Sequence, residues 1–307
     1  MPELPEVHTT STGLNKKIKG LTIKDVWTNY NSRFHVGKDN IKNPKFFKKF
    51  RRVVIGTEIT RVSRRGKNVL IHLSNGYTIL IHMKMTGHIM YGSYKFDRNI
   101  AKDPWVPANP KKDIALTDPF NRHIRFVISF SNGKQAVLSD MRKFAKVMLI
   151  ETDHLEASHD LRELGPEPLS HTFDLKAFRE RIDLRPTGKI KSALMDQHLI
   201  AGIGNIYSDE ILWRAGVHPE KRVQKIDEIS IKKMFTSTKE ILKKGIDFGG
   251  DSMSDYRNID GERGKFQAKH EAYRRTGKPC RKKGCKGIIL RKVIGGRSAH
   301  FCSIHQK

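Results

Sequence analysis

Pro2 and Glu3, in the opening Met1-Pro2-Glu3-Leu4-Pro5-Glu6-Val7, are residues that could do covalent chemistry. Methionine is readily trimmed before a small residue, and its loss would leave Pro2 with a free secondary amine. An α-amino group titrates near ~7.7–8.0, against ~10.4 for a lysine side chain, so part of it is unprotonated near neutrality. Such an amine can attack an electrophilic carbon and form a Schiff base. Glu3 is the neighbouring group able to move protons for that step. The same residues also read as a stiff acidic leader, and only the rest of the chain separates the two readings.

A second cluster could hold metal. The tail reads Cys280-x4-Cys285-x16-Cys302-x2-His305. Two close pairs of soft ligands separated by a loop are the pattern of a structural zinc site, with one Zn2+ per chain. Gly295-Gly296 supplies a tight turn within the loop, and Ile288-Ile289-Leu290 one strand of a hairpin. His300 is a rival fourth ligand; His305 is favoured by its two-residue gap from Cys302. So small a module has little core of its own, and metal binding would supply its folding energy. Its Arg281, Lys282, Lys283, Lys286, Arg291, Lys292 and Arg297 suit a hairpin that meets phosphates.

The third feature is Ala201-Gly202-Ile203-Gly204-Asn205-Ile206-Tyr207-Ser208-Asp209-Glu210. Its glycines precede Asn205, a residue suited to cap a helix. That helix should stop at Gly216, with Pro219 beyond. Physically this is an inter-helix turn whose helix N-terminus offers N–H groups to an anion.

The elements that must position these groups fall into two halves. Residues 1–152 carry short β-type runs, among them 53–55, 68–73, 77–82 and 125–130. Ser74-Asn75-Gly76 and Ser131-Asn132-Gly133 read as hairpin turns. This half is expected to be a β-sandwich or barrel with a helix near 6–17, and the proline-rich stretch 91–121 a surface insertion. Residues 152–170 read as a linker. Helices are expected at 175–183, 189–197, 206–215 and 229–244. The fold class is therefore α+β, with segments 1–152, 153–270 and 271–307.

The 307 residues include 59 Lys and Arg against 32 Asp and Glu, a net charge of +27, which implies a polyanionic partner. No apolar run is long enough to span a membrane. The acidic start is unlike a signal peptide, so a cytoplasmic or nucleoid-associated protein is expected. Three cysteines clustered near the end argue against a disulfide framework.

Taken together, Pro-Glu-Leu-Pro-Glu at the start, 201–210 in the middle and Gly296-Arg297-Ser298-Ala299-His300-Phe301-Cys302 near the end resemble the formamidopyrimidine-DNA glycosylase (Fpg/Nei) family. The resemblance implies an N-terminal β-sandwich domain, a C-terminal helix–two-turn–helix domain and a zinc-finger hairpin. It also implies a monomeric base-excision-repair enzyme, both glycosylase and abasic-site lyase, acting on damaged double-stranded DNA. The target base leaves the stack before chemistry. Pro2 then attacks C1′, Glu3 shuttles protons, and β- and δ-elimination cut the strand. Glu6 matches the family's second acidic residue. Lys67, Asn205 and Arg297 match its phosphate contacts, and His82 and Tyr273 are further candidates.

The hole left by the flipped base must be filled. Met85, Arg142 and Phe144 match the set that fills it, which points to 8-oxoguanine and formamidopyrimidines. Loop 249–267 resembles the lid of that branch, with Ser252 a candidate to read the base. The alternatives are a Nei-like enzyme for oxidised pyrimidines and a non-catalytic zinc-containing DNA-binding protein. Departures from the family pattern include His8, Lys84, Met141, Lys143, Ala145, the histidine zinc ligand and the long 91–121 insertion.

Overall fold

The computed structural model describes every residue of the chain except Ser254. It contains two units. The first comprises Met1–Pro2, Glu6–Leu161 and Gly249–Lys265; the second comprises Glu3–Pro5, Arg162–Phe248 and Phe266–Lys307.

Helix α1 (Leu4–Ile18) is followed by β1 (Ile23–Thr28), α2 (Pro44–Val54), β2 (Ile59–Arg65), β3 (Asn68–Leu73), β4 (Tyr77–His82) and β5 (His88–Gly92). A small hairpin of β6 (Tyr94–Phe96) and β7 (Trp105–Pro107) precedes β8 (Ile124–Phe130), β9 (Gln135–Ser139) and β10 (Lys146–Glu151). The strands form two four-stranded antiparallel sheets, ordered β1-β8-β9-β5 and β10-β4-β3-β2. Alternate residues of facing strands build the core: Val69, Ile71 and Leu73 of β3, Ile79 and Ile81 of β4, and Phe126, Ile128 and Phe130 of β8. The opposite face of the second sheet carries Asn68 and Lys146, each paired in register with His82. Gly76 and Gly133 turn their hairpins at φ of 81° and 76°.

Two expectations for this half are corrected. Residues 53–55 are not a strand, because Val53 and Val54 end α2. Asn43 caps that helix by accepting from Lys45 N, Pro44 occupies its first turn, and Phe46, Phe50 and Val54 are buried along one face. The 3.6-residue period thus overrides the β propensity of the valines. The 91–121 stretch is more than polar surface. Tyr94 and Leu116 join Met90, Ile124, Val127 and Val137 in a small core, and Trp27, Phe96 and Trp105 meet edge to face.

The second unit contains α3 (Leu175–Asp183), α4 (Ile190–Met195), α5 (Asn205–Ala215), α6 (Glu228–Asp247) and the hairpin of β11 (Ile289–Ile294) and β12 (Arg297–Cys302). Phe178, Ile182, Leu194, Tyr207, Ile211, Met234 and Leu242 form its core. Gly216, left-handed at φ 77°, ends α5 as expected. Asn205 is not the cap: Gly204 occupies that position and Asn205 is the first helical residue. Among the described residues, no helix is long and apolar enough to cross a membrane.

Candidate active site and metal centre

In the second unit, Glu3 is the anion at the start of α5. Its carboxylate accepts from Gly204 N at 2.8 Å, Ile206 N at 2.9 Å and Tyr207 N at 3.3 Å. The helix N-terminus expected to receive a phosphate therefore receives this side chain. Glycine is needed at 204 because a Cβ would collide with the Glu3 carboxylate. At Gly202, with φ of 93°, a Cβ would meet Leu4 at 2.7 Å, while Leu4 N donates to Gly202 O at 3.0 Å. The terminal segment 3–5 is thereby fixed to the glycine turn. Pro2, next in the chain, is itself buried. This is not a solvated leader.

Around Asn205 lies a network invisible to periodicity. Lys191 of α4 and Asp209 of α5 are both fully buried and meet at 2.5 Å. Asp209 also accepts from His300 N at 2.9 Å, and its Oδ2 is 2.8 Å from His300 Nδ1. Lys191 further reaches Ser208 Oγ at 3.2 Å and Asn205 O at 3.4 Å. Asn205 Oδ1 is buried with no hydrogen-bond partner among the described residues. Next along α5, Glu210 accepts from Glu271 N, Ala272 N and Tyr273 N at 2.8–3.0 Å. Burial raises its carboxyl pKa, opposed by His270 and these amides. Glu210 so fixes the turn carrying Tyr273, whose ring stands edge-on to His300 at 5.1 Å. Arg297 is exposed, beside the tight Gly295-Gly296 turn.

The zinc ligands converge as predicted. The ligand atoms of Cys280, Cys285, Cys302 and His305 all lie within 4.8 Å of one another. Cys285 Sγ is 3.6 Å from Cys302 Sγ, and Cys280 Sγ is 3.4 Å from His305 Nδ1. These separations suit the edges of a tetrahedron with zinc–sulfur bonds of about 2.3 Å. Lys282 N, Gly287 N and Ile304 N each point at a cysteine sulfur at 3.4 Å. Nε2 of His305 lies 3.0 Å from Trp213 O, the outer hydrogen bond typical of a ligating imidazole. His300 is not among the converging ligands; its Nδ1 lies instead against Asp209. Four protein ligands leave no open position, so the zinc is structural. Chelation of the metal should abolish tight DNA binding, since the hairpin carrying Arg297 loses its folding energy. A titration of metal-free protein with duplex DNA checks this; unchanged affinity would contradict the assignment.

The first unit holds the other candidates. Glu6 accepts from Asp251 N at 2.7 Å, and its carbonyl accepts from the Tyr256 hydroxyl at 3.1 Å. Loop 249–267 is thus tied to α1. Within it Ser252 is fully buried, and its Oγ accepts from Gly264 N at 2.8 Å, closing the loop on itself. Ser254 of this loop lies outside the described residues. Lys67 sits in the Gly66-Lys67 turn joining β2 and β3 and is only 6% exposed, unlike a solvated strand lysine. Burial, then Lys84, Lys67 and Lys146, push His82 down to about 3, so its ring is neutral. Its Nδ1 accepts from Lys84 N at 3.0 Å, which leaves the proton on Nε2 as a donor.

Asp140, fully buried, joins the two loops that carry Met85, Arg142 and Phe144. It accepts from Thr86 Oγ1 at 2.7 Å, Tyr30 OH at 2.8 Å and Ala145 N at 2.7 Å, and Thr86 Oγ1 in turn accepts from Arg142 N at 3.2 Å. Phe144 is 47% exposed, and the Arg142 guanidinium lies 4.5 Å from its ring centroid. Met85 is half-buried and outside the sandwich core, so neither apolar residue is a core residue.

Sequence reasoning did not single out Asp140, Lys191, Asp209 or Glu210 as site-forming residues. The available signal was Asp209-Glu210 inside a helix whose other buried residues are mainly apolar.

Residues 1–147 match the family model described as formamidopyrimidine-DNA glycosylase N-terminal domain, and residues 164–257 match the formamidopyrimidine-DNA glycosylase H2TH domain. The chain is 34% identical over 307 residues to the formamidopyrimidine-DNA glycosylase of Pelotomaculum thermopropionicum, covering 100% of this chain and 99% of the relative. It is also similar to Lactococcus lactis Fpg solved in complex with DNA containing an abasic site (TM-score 0.81, 31% identity, 99% of each chain). A further similar structure is MutM in complex with DNA containing carbocyclic 8-oxo-G (TM-score 0.80, 31% identity, 100% of each chain).

Proposed function

The chain belongs to the formamidopyrimidine-DNA glycosylase family, and from that premise we propose that it excises oxidised purines from damaged double-stranded DNA and cleaves the strand at the resulting abasic site. The observation that carries this reading is the fixed terminus. Three backbone N–H groups pin Glu3, so the amine of Pro2, once Met1 is gone, is held at one place instead of sampling many.

On this reading Pro2 nitrogen attacks C1′ of the everted nucleotide and the damaged base departs with the bonding pair. Glu3 then protonates O4′ as the C1′–O4′ bond breaks and the sugar ring opens. The iminium so formed acidifies the C2′ proton, and β- then δ-elimination release the flanking strands. Glu3 transfers protons at the sugar, and Glu6 steadies the flipped nucleotide and the lid. Lys67, Asn205, Arg297, His82 and Tyr273 contact phosphates, and the basic composition supplies the general attraction to the duplex. Met85, Arg142 and Phe144 occupy the space the base leaves, with Arg142 available to hydrogen-bond the orphaned cytosine. On this reading the enzyme acts as a monomer, cytoplasmic or nucleoid-associated.

Borohydride trapping tests the chemistry. Reduction during reaction with abasic-site DNA should yield a covalent adduct whose intact mass corresponds to a chain lacking Met1. Absence of any adduct would leave a non-catalytic DNA-binding protein. In the same assay 8-oxoguanine opposite cytosine should be excised faster than thymine glycol opposite adenine; the reverse order would assign an oxidised-pyrimidine enzyme.

A further inference from the structure

The 91–121 insertion makes its most specific contacts with the returning half of the 249–267 loop. Arg257 is 2% exposed and lies against Asp118, with Nε–Oδ2 of 3.1 Å and Nη2–Oδ1 of 3.3 Å. Its guanidinium stands 4.7 Å from the centroid of the Phe120 ring, and Nη1 donates to Tyr256 O at 2.9 Å. Three residues on, Asn121 donates from Nδ2 to Gly261 O at 3.0 Å and to Ala115 O at 2.7 Å. Its Oδ1 is 3.0 Å from Nε2 of His88, which therefore donates. Burial pushes His88 down to about 4, so this imidazole is neutral near pH 7.

The fit leaves no slack. Gly261 has φ of 83°, and a Cβ there would lie 2.9 Å from Ala115 O, Asn121 Nδ2 and Leu116 Cδ2. Tyr91 N donates to Ile259 O at 2.7 Å, and the Ile259 side chain fills the space above Gly13 of α1. The bracing residues are themselves fixed. Asp118 lies between the 3-10 turns Ile114–Thr117 and Pro119–Asn121, its Oδ1 accepts from Phe120 N at 2.8 Å, and its carbonyl accepts from Asn121 N at 2.8 Å. Leu116 roots the turns in the core beside β8 and β9.

We propose that the insertion is a brace for base recognition, in which Asp118 and Asn121 act as positioning residues that hold the return of the lid, so that residues 250–253 meet the damaged purine as a preformed surface. This rests on the glycosylase reading above. The lid is gripped at both ends: at Asp251 and Tyr256 by Glu6, and at 257–261 by the insertion. A loop held in this way loses less conformational entropy on binding than an untethered one.

An abasic site has no base for the lid to hold, so it separates this role from the chemistry. Asn121→Ala should lower the rate of 8-oxoguanine excision about tenfold or more while leaving abasic-site cleavage and borohydride trapping within about twofold. Because Asp118→Ala would strand a buried guanidinium and could unfold the loop, the second variant is the pair Asp118→Asn with Arg257→Gln, which removes both charges. It should show the same split between excision and lyase rates. Parallel loss of both activities would overturn the brace in favour of a merely structural role, and so would unchanged excision in both variants. Failure of the parent protein to trap on abasic DNA would instead count against the glycosylase reading itself.

Discussion

Pro2→Gly is expected to slow base excision by about 10³-fold or more, equivalent to a barrier increase of about 4 kcal/mol, while binding lesion DNA within a few-fold of the parent. The substitution alters the amine proposed to form the Schiff base, on which the covalent route depends. Glycine also offers an N-terminal amine, but a primary one on a segment without the proline ring, so its nitrogen is less well held. Affinity should survive, because the phosphate contacts assigned to Lys67, Asn205 and Arg297 lie elsewhere in the sequence. Single-turnover excision and equilibrium binding on the same duplex give the two numbers. If affinity fell in step with rate, Pro2 would be a binding residue and not the nucleophile. A preparation retaining Met1 should be as inactive as the variant, since an acylated proline nitrogen cannot attack.

The second large effect is expected at Asp209. Replacing it with alanine should destabilise the second unit by about 3–5 kcal/mol, because Lys191 would remain as an unpaired ammonium with none of its side chain exposed. Total stability of a domain is only about 5–15 kcal/mol, so the loss is a large share of it. The same change frees His300 N and Nδ1, the bonds by which β12 hangs from α5. Thermal unfolding should therefore show a fall of about 10 °C, and the zinc should dissociate more readily. The double variant Lys191→Met with Asp209→Leu removes both charges and should recover most of the lost stability. A melting temperature for Asp209→Ala close to that of the parent would show that the pair is not isolated from water.

Much of the site was legible because its signals are local. The cysteine spacing, the hairpin glycines and the helices at 175–183 and 206–215 depend on residues near one another in the chain, where periodicity and turn chemistry act. Legibility failed where packing reassigned a residue. Val53 and Val54 have strand propensity, yet the buried stripe Phe46, Phe50 and Val54 places them on α2. Asn205 is a good cap by type, but Gly204 takes the cap position, and the Glu3 carboxylate, 201 positions before Gly204, supplies the capping acceptors. Ser252 looks like an exposed lid hydroxyl, and its burial is visible only once Gly264 returns beside it.

The sequence alone determined which groups can react or bind: a secondary amine behind a removable methionine, three thiols and a histidine at knuckle spacing, and a surplus of cations for a polyanion. These follow from covalent chemistry and short-range spacing, which need no fold. Tertiary structure decided which anion sits on the α5 N-terminus, which histidine faces the zinc, and which charges are buried in pairs. It also packed the 91–121 insertion against loop 249–267. Those outcomes depend on hydrogen bonds and desolvation between segments far apart in the chain. Sequence periodicity records which face of an element is buried, but not which distant residue will meet it.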